Sequence, residues 1–581
     1  MPPSYPRIPY GMADFKAIRL QRRLYVDKTR FLRELENEDY VFLIRPRRFG
    51  KTCWLSLLEH YYDRTRADHF ESVFGGTDIA ARPTADCNRY VILRFNFSAF
   101  DDTLETLRER FEEYCGQVLY HALGRNPDLF PEEARRRILA PPSIDGKLNR
   151  LFLYAGDHRI PLYALIDEYD NFANTVLAYH GEQACRTFTH GGGFYRSFFA
   201  TLKAGTEQSD GGLERLFITG VSPITMDDVT SGFNIGSNVS LDPRFNELLG
   251  FTEQEVRGVL ETYRGHGVLA QDVEAVLDVM REWYDGYRFA RSAQTDLYNT
   301  DMVLYYLKQV IPGRSIPDEL IDANVRIDYG KLRHLFVANR RLNGNFDLLR
   351  HVMGEGRVES AIRSSFPLER LDDRDNFLSL LYYFGLLGIR SVSRGVPRLG
   401  VPNQAVSRLL YGYLRDAYQD VGVFSVSHHT FSALVRGMAY DGAWRPALEF
   451  LRDAIAEQTG VRDYIGGEKV VHAFLAAHFS MVDHFVIHSA RELSKGYADL
   501  YLEPFLARYP DVAYGYVIEI NYLKRSEPAD ESRVAERLRE AEEQLRRYLA
   551  DGGLRRHAAV RHVGLAVVFH GWELVAAAAV E

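Results

Sequence analysis

The run Arg45-Pro-Arg-Arg-Phe-Gly-Lys-Thr52, entered from the apolar stretch Val41-Phe-Leu-Ile44, constrains this chain more than any other feature. Four successive apolar residues read as a strand buried on both faces, and Gly50-Lys51-Thr52 reads as a turn into a helix. Gly50 lets backbone approach an anion, and Lys51 has the reach to meet outer phosphates. Thr52 offers a hydroxyl to Mg²⁺ at a helix start, whose unpaired N–H groups favour negative charge. The first glycine of the usual phosphate-loop pattern is missing, and Arg45 stands in its place. Taken alone, the tripeptide is equally compatible with an ordinary strand-to-helix turn.

A second apolar run, Pro161-Leu-Tyr-Ala-Leu-Ile-Asp-Glu168, ends in adjacent carboxylates. Continuous apolar strands with polar chemistry at their C-terminal ends are expected of a parallel sheet covered on both faces. Asp167 then holds the Mg²⁺ shell and Glu168 orients or deprotonates a water; the alternative is that both cap the next helix. The runs Tyr90–Phe97 and Arg215–Pro223 supply further strands. Thr219 or Ser222, at the end of the latter, is a candidate γ-phosphate sensor or an ordinary turn residue. Together these runs predict an α/β fold built on a P-loop sheet that binds a nucleotide with Mg²⁺.

The chain has 581 residues, too many for one core, so two to four domains are expected. No apolar stretch is long enough to span a bilayer, and Met1-Pro-Pro-Ser-Tyr-Pro6 lacks the apolar core of a secretory signal. Cys53, Cys87, Cys115 and Cys185 are dispersed over the first third, which suits a reducing cytoplasm better than disulfides or zinc. A formal charge of −8 opposes indiscriminate nucleic-acid binding by the whole surface but leaves room for a local basic channel.

Before the loop, Tyr25–Leu35 reads as a turn and short helix with Asp27 as N-cap. Phe15 and Tyr25 are candidates either for adenine contact or for core aromatics. After Gly250 the pattern becomes helical, with Thr252-Glu-Gln-Glu255 as a capping box, and runs to about residue 390. It is interrupted by Trp283–Phe289 and Leu297–Asp301; Arg288 there either reaches a nucleotide or makes a surface ion pair. The Pro- and Gly-rich run Arg394–Asn403 predicts a hairpin or a boundary. The expected division is 1–240 for the ATPase core, 241–400 for a helical lid or adaptor, and 401–581 for a last domain.

That last domain carries a second constellation. A helical run from Glu468 to Leu475 places Glu468 and His472 one turn apart. Strands follow at Phe485–His488, Tyr497–Leu502 and Tyr514–Lys524, then a helix through Val534 and Leu549, then a closing strand Val563–Phe569. This order resembles the PD-(D/E)XK nuclease core, in which two acids on adjacent strands bind a metal that activates water. Here the acids are Asp499 and Glu519, as catalytic and metal-binding candidates for Mg²⁺ or Mn²⁺. Asn521 stands where that pattern has lysine; Lys524, Lys495 or Lys469 is left to substitute from a bent strand, a turn or a helix.

The ordered motifs Tyr25–Thr29, Arg45–Thr52, Leu165–Asp170, Thr219–Thr225, Ser231–Asn234, Trp283–Tyr287 and Gly496–Leu500 resemble the bacterial AAA-ATPase-like family with a C-terminal PD-(D/E)XK nuclease-like domain. The resemblance implies an AAA-like sheet with a helical lid, ATP and Mg²⁺ at the loop, and a nuclease fold at the end. The arginine-rich loop without its first glycine is a trait of that family, so Arg45, Arg47, Arg48, Phe49, Gly50, Lys51, Thr52 and Thr219 are carried over as the ATP-binding set. Arg47 and Arg48 either touch a phosphate or pair with Asp167, Glu168 or Asp170.

Two functions compete. In one, ATP state gates a metal-dependent nuclease on DNA or RNA, with Arg533, Arg537, Arg546, Arg547, Arg555, Arg556 and Arg561 near the phosphates. Interleaved Glu536, Glu540, Glu542 and Glu543 make a solvated helix face the competing view of those arginines. In the other, favoured by Asn521, the nuclease-like domain has lost catalysis and the protein is a nucleotide-operated binding switch. A homo-oligomer is compatible with either, and neither needs a membrane.

Overall fold

The strand predicted before the loop is β1 (Tyr40–Ile44), and Val41, Phe42, Leu43 and Ile44 are all buried. It lies inside a sheet of parallel neighbours, pairing with β4 (Leu213–Gly220) on one side and the short β5 (Ser237–Asn238) on the other. The computed structural model describes residues 5–99, 104–171, 187, 193–207, 212–224, 236–311, 316–325, 337–338, 341–342, 344–367, 370–420, 422, 424–458, 467–494, 496–554 and 559–581. Cys185, Thr225, Ser231–Asn234, Lys495, Arg555 and Arg556 lie outside the described residues.

With β2 (Val91–Asn96) and β3 (Leu162–Asp167), the sheet order is β2-β3-β4-β1-β5, and every pairing in it is parallel. Strands β1 to β4 are largely buried runs, because both faces are covered and alternation has no purpose, whereas the short β5 at the edge is exposed or half-buried. Parallel strands put all their C-terminal ends on one edge, so the turns after β1, β3 and β4 converge. The loop after β1 leads into α1 (Lys51–Tyr62), and Gly50 enters it at φ 96°, a conformation that favours glycine.

The chain forms two compact units: residues 1–317 with 360–397, and residues 318–359 with 398–581. The first holds the five-stranded sheet together with α2 (Glu253–Gly265), α3 (Val273–Tyr284), α4 (Thr300–Val310) and α5 (Arg374–Tyr383). The capping box of α2 is formed, with Thr252 and Glu255 satisfying each other's backbone N–H, and Glu255 also pairs with buried Lys28 at 2.7 Å. Asp27 is not an N-cap. It accepts from Thr29 N–H and Asp78 N–H, and the helix begins only at Phe31. The alternative role had the same chemistry, since a short carboxylate side chain serves a turn as readily as a cap.

The second unit is organised on a sheet of β6 (Phe485–Leu493), β7 (Gly496–Pro504), β8 (Tyr514–Leu523), β9 (Arg561–His570) and β10 (Glu573–Val580), paired in that order. β8 and β9 are parallel and the remaining pairs antiparallel. The helix α6 (Glu468–Phe479) precedes this sheet, and α7 (Glu531–Leu549) bridges β8 to β9. Ala541, Leu545 and Tyr548 of α7 pack with Val517, Ala498, Ala566 and Val580. The closing strand expected at Val563–Phe569 is followed by one more, β10. Its Ala576–Ala579 run has helical propensity, but a turn at Gly571 (φ 61°) returns the chain antiparallel to β9, and pairing overrides propensity. Among the described residues no helix is long and apolar enough to cross a membrane.

Arg45 ties the loop after β1 into this fold. It is 1 % exposed and donates to the carbonyls of Ile44 (3.0 Å), Ser240 (2.7 Å) and Phe245 (2.9 Å), with its guanidinium 4.2 Å from the centre of the Phe289 ring. Arg45→Ala leaves three buried carbonyls without this donor, and we expect a loss of about 3 kcal/mol from the first unit. The check is a lowered midpoint of that unit's transition in calorimetry, with Arg45→Lys recovering little because one ammonium cannot reproduce the fork.

Candidate functional site

The loop 45–50 is held from outside by its own side chains. Phe49 is buried with its ring edge-on to Tyr287 (4.9 Å) and Phe289 (5.3 Å), and its carbonyl accepts from the Thr300 hydroxyl. Arg48, at φ 67°, pairs with Asp301 at 2.8 Å, and Asp301 N–H returns a bond to the Arg48 carbonyl. Gly385, at φ 76°, passes so close that an added Cβ would stand 2.9 Å from Pro46 Cβ. Arg45 and Phe49 of the expected ATP-binding set thus brace the loop through carbonyls and aromatic rings, and Arg48 of the same set is ion-paired with Asp301.

Inside the loop the chemistry is acidic and basic at once. Lys51 is buried and its ammonium donates to the carbonyls of Arg45 (3.0 Å) and Pro46 (2.8 Å). Burial pushes its pKa down, while Glu168, Asp167 and Asp170 pull it up. Asp167 at the end of β3 is fully buried, and among the described residues its carboxylate has the Thr52 hydroxyl and Glu168 N–H as polar neighbours but no well-formed hydrogen bond. Burial raises its pKa, opposed by Thr52, Lys51 and Arg94. Glu168 follows at φ 53°, an uncommon backbone for a side chain of this size, and its pKa is also raised by burial, with Lys51 opposing. Arg47 adds positive field on both Lys51 and Glu168.

Asp170 fastens this edge together. Its carboxylate accepts from Val221 N–H (3.0 Å) and Ser222 N–H (2.7 Å), joining the turn after β3 to that after β4. Thr219, expected to sense a phosphate, is buried and donates its hydroxyl to the Leu43 carbonyl at 2.7 Å, stitching β4 to β1. Ser222 is buried and accepts from Ile224 N–H. Phe15 and Tyr25 are edge-on to each other at 5.1 Å, with Phe15 buried, and so belong to the core. Arg288 pairs with Asp296 at 2.9 Å, the surface-pair alternative. Arg94 was missed by the sequence reading: it sits on β2, paired to Glu59 at 2.9 Å, and brings its charge to Asp167.

The second site opens where two strands part. β7 and β8 pair at Leu500↔Ile518, Tyr501↔Val517 and Leu502↔Tyr516, and the pairing stops there. Asp499, the next residue outward, accepts the Ile520 N–H at 2.7 Å, so a carboxylate replaces a strand carbonyl. His472 on α6 donates its Nε2–H to the Asp499 carbonyl at 2.6 Å. Glu519 is buried and its Oε2 has no hydrogen-bond partner. Burial pushes Asp499 up to about 7, against the Ile520 N–H and with Glu468 adding to the rise, and pushes Glu519 up to about 8, where Asp499 and Glu468 both add. Two such acids lose their protons as a pair.

The donor sets fit divalent cations at both places. A hard cation wants oxygen ligands, and a buried carboxylate oxygen without a donor is stabilised by one. Thr52 and Asp167 are the residues suited to hold Mg²⁺ beside the loop. Asp499 and Glu519 suit Mg²⁺ or Mn²⁺ in the second unit, where Glu519 Oε2 is the orphan.

Comparison with known proteins agrees with this partition. Residues 9–230 match the AAA-ATPase-like family model, described as a predicted AAA-ATPase, and residues 466–578 match the PD-(D/E)XK nuclease superfamily. The protein thus carries an AAA-ATPase-like domain followed by a C-terminal PD-(D/E)XK nuclease superfamily domain. It is 28% identical over 311 residues to the "Uncharacterized protein in vnfD 5′region" of Azotobacter chroococcum mcd 1, covering 53% of each chain. The chain therefore spans about half the length of that relative. Among solved structures it is similar to the Aeropyrum pernix ORC1 protein in complex with DNA (14% identity, TM-score 0.26, 66% of this chain and 91% of that one). It is also similar to the ADP form of ORC2 from the same organism (13%, 0.29, 72% and 96%). At these scores neither likeness carries an inference about this chain.

The raised carboxylates give a pH signature. An acid whose folded pKa exceeds its unfolded value stabilises fully below the unfolded pKa and loses that contribution as pH rises through the folded one. His472 is held neutral at about 4 by burial, so its opposing contribution is complete above the ordinary histidine pKa of about 6.5. In EDTA the second unit is expected to lose stability from about pH 6.5 to 8, and Asp499→Asn with Glu519→Gln to flatten that slope in thermal melts.

Proposed function

We propose that the first unit binds and hydrolyses ATP and that the second is a metal-dependent phosphodiesterase acting on nucleic acid, with nucleotide state controlling its use. One observation carries this reading: among the described residues, each unit buries carboxylate oxygens without a well-formed hydrogen bond, at Asp167 and at Glu519. Leaving such oxygens unpaired is costly, and a divalent cation bound by phosphates meets the same need in both places.

In the ATPase site, Lys51 moves its donors from the Arg45 and Pro46 carbonyls to the β- and γ-phosphates, and Gly50 with the N–H groups of α1 lines the anion. Thr52 and Asp167 hold Mg²⁺, which supplies charge neutralisation between the phosphates. Glu168, raised by burial and beside Lys51, orients the attacking water and accepts its proton. Arg47 reaches the γ-phosphate from the loop. The part of the expected lid or adaptor that belongs to the first unit, from residue 241 to 317, acts on the loop through the contacts of Tyr287, Phe289 and Asp301.

In the nuclease-like site, Asp499 and Glu519 would hold Mg²⁺ or Mn²⁺, which when bound would supply Lewis acidity toward a phosphodiester and a water. Cleavage then rises with pH as the pair loses its protons. The binding-switch reading rests on Asn521, whose amide donates to the Arg537 carbonyl at 2.6 Å instead of presenting a charge. A cytoplasmic location, and assembly with copies of itself, are consistent with either reading.

The test uses the full chain with Mg²⁺ or Mn²⁺. Lys51→Ala and Asp167→Asn are expected to weaken ATP binding about tenfold or more, whereas Glu168→Gln keeps binding and loses hydrolysis by about 10²-fold. Asp499→Asn and Glu519→Gln should each abolish cleavage of DNA or RNA oligonucleotides. Cleavage indifferent to both changes refutes the second site, and ATP binding indifferent to Lys51→Ala refutes the first.

A further inference from the structure

The nuclease reading leaves one chemical need unmet, a positive charge at the phosphorus, and the following inference rests on that reading. Asn521 lies two residues beyond Glu519, and on a strand such residues share a face. That face looks toward α7, since Val517, two residues before Glu519, packs with Ala541 and Leu545. Two of the three candidate lysines are elsewhere, Lys469 paired with Glu355 and Lys524 exposed beyond the last residue of β8, and the third, Lys495, lies outside the described residues.

Asn521 nevertheless occupies itself with a specific partner. Its Nδ2–H donates to the main-chain carbonyl of Arg537 at 2.6 Å, which fixes the second turn of α7 over the strand. The strand position that would carry a lysine is thereby held against the backbone of a helix residue that is itself an arginine. The Arg537 guanidinium is partly exposed and, among the described residues, pairs with Glu540 at 2.7 Å in an i,i+3 pair. Pairs of this exposed kind contribute about 0–1 kcal/mol, so the fork is readily released to a phosphate. Its field already reaches the cluster, where it opposes the burial-driven rise of Glu468, and Glu468 in turn acts on Asp499 and Glu519.

We propose that Arg537, positioned by Asn521, is the cationic catalytic residue of this site and contacts the scissile phosphate of a nucleic acid. In the step concerned, water oxygen bonds to phosphorus and sheds a proton to solvent. The P–O ester bond breaks, and the departing alkoxide takes up a proton. Arg537 donates to a non-bridging oxygen while negative charge accumulates there, with a planar fork suited to phosphate. A helix arginine thus performs what the strand position cannot, because asparagine carries no charge.

The experiment uses the full chain with fluorescent DNA and RNA oligonucleotides. Arg537→Gln is expected to lower kcat by about 10²-fold with Mn²⁺ while KM changes little. Asn521→Lys placed in the Arg537→Gln background restores cleavage at least tenfold, because the charge returns from the strand. Arg539→Gln, exposed on the same helix and bonded to the Ala535 carbonyl, removes the same charge and leaves kcat unchanged. In EDTA, with no cleavage, Arg537→Gln reduces the salt slope of oligonucleotide binding by about one.

Cleavage by Arg537→Gln within twofold of the parent overturns the proposal while leaving the metal site intact. Loss in Arg547→Gln in its place overturns it in favour of the other arginine whose field reaches Glu519. A parent that never cleaves, with Asn521→Lys alone creating activity, overturns both this assignment and the catalytic reading beneath it.

Discussion

A buried guanidinium holding three backbone carbonyls is the interaction on which the first unit turns. Phosphate loops ordinarily obtain their course from an early glycine, which lets the backbone fold tightly. Here the chain leaves β1 through Arg45, whose fork reaches the Ser240 and Phe245 carbonyls and draws the segment after β5 against the loop. Burial without a carboxylate partner lowers the Arg45 pKa to about 10, so the group stays charged at neutral pH. Hydrogen bonds to a charged donor are among the stronger ones available in a protein. The loop therefore has a fixed course, with Lys51 and Thr52 placed beside the acidic ends of β3.

The two sites share one electrostatic design on unrelated frameworks. In each, a sheet brings carboxylates to a place where water is scarce, and burial raises their pKa values. A parallel sheet does this at the common C-terminal edge of its strands. The mixed sheet of the second unit does it by parting β7 from β8, so that Asp499 takes an N–H the neighbouring strand no longer satisfies. Such an arrangement is unfavourable as a purely structural device, since the same positions filled with apolar residues would not carry unpaired oxygens. Under the proposed function that cost is one of readiness for a cation.

Much of this was legible from local pattern. Unbroken apolar runs ending in Asp167-Glu168 or in Gly50-Lys51-Thr52 announce covered parallel strands, because no other common element needs that pattern. The capping box at Thr252 and the helix α7 were equally readable. The roles of Arg48, Phe49 and Thr219 were not, because a loop residue's type says what it can bind and not what stands next to it. Asp301 lies 253 positions from Arg48, and nothing in either neighbourhood names the other. The strand β10 was hidden for a related reason: an alanine run has no strand signature until a neighbour supplies the pairing.

The amino-acid order by itself determined the kind of chemistry available, since residue types and short spacings decide which groups can grip a phosphate or share a cation. Tertiary structure decided which of the eligible groups are free to do so. It spent Arg45 and Thr219 on carbonyls, left oxygens of Asp167 and Glu519 without well-formed hydrogen bonds, and carried Arg537 to the place beside Asn521. The physical reason is that hydrogen-bonding capacity is a local property of a side chain, whereas its satisfaction depends on partners that only folding brings within about 3 Å.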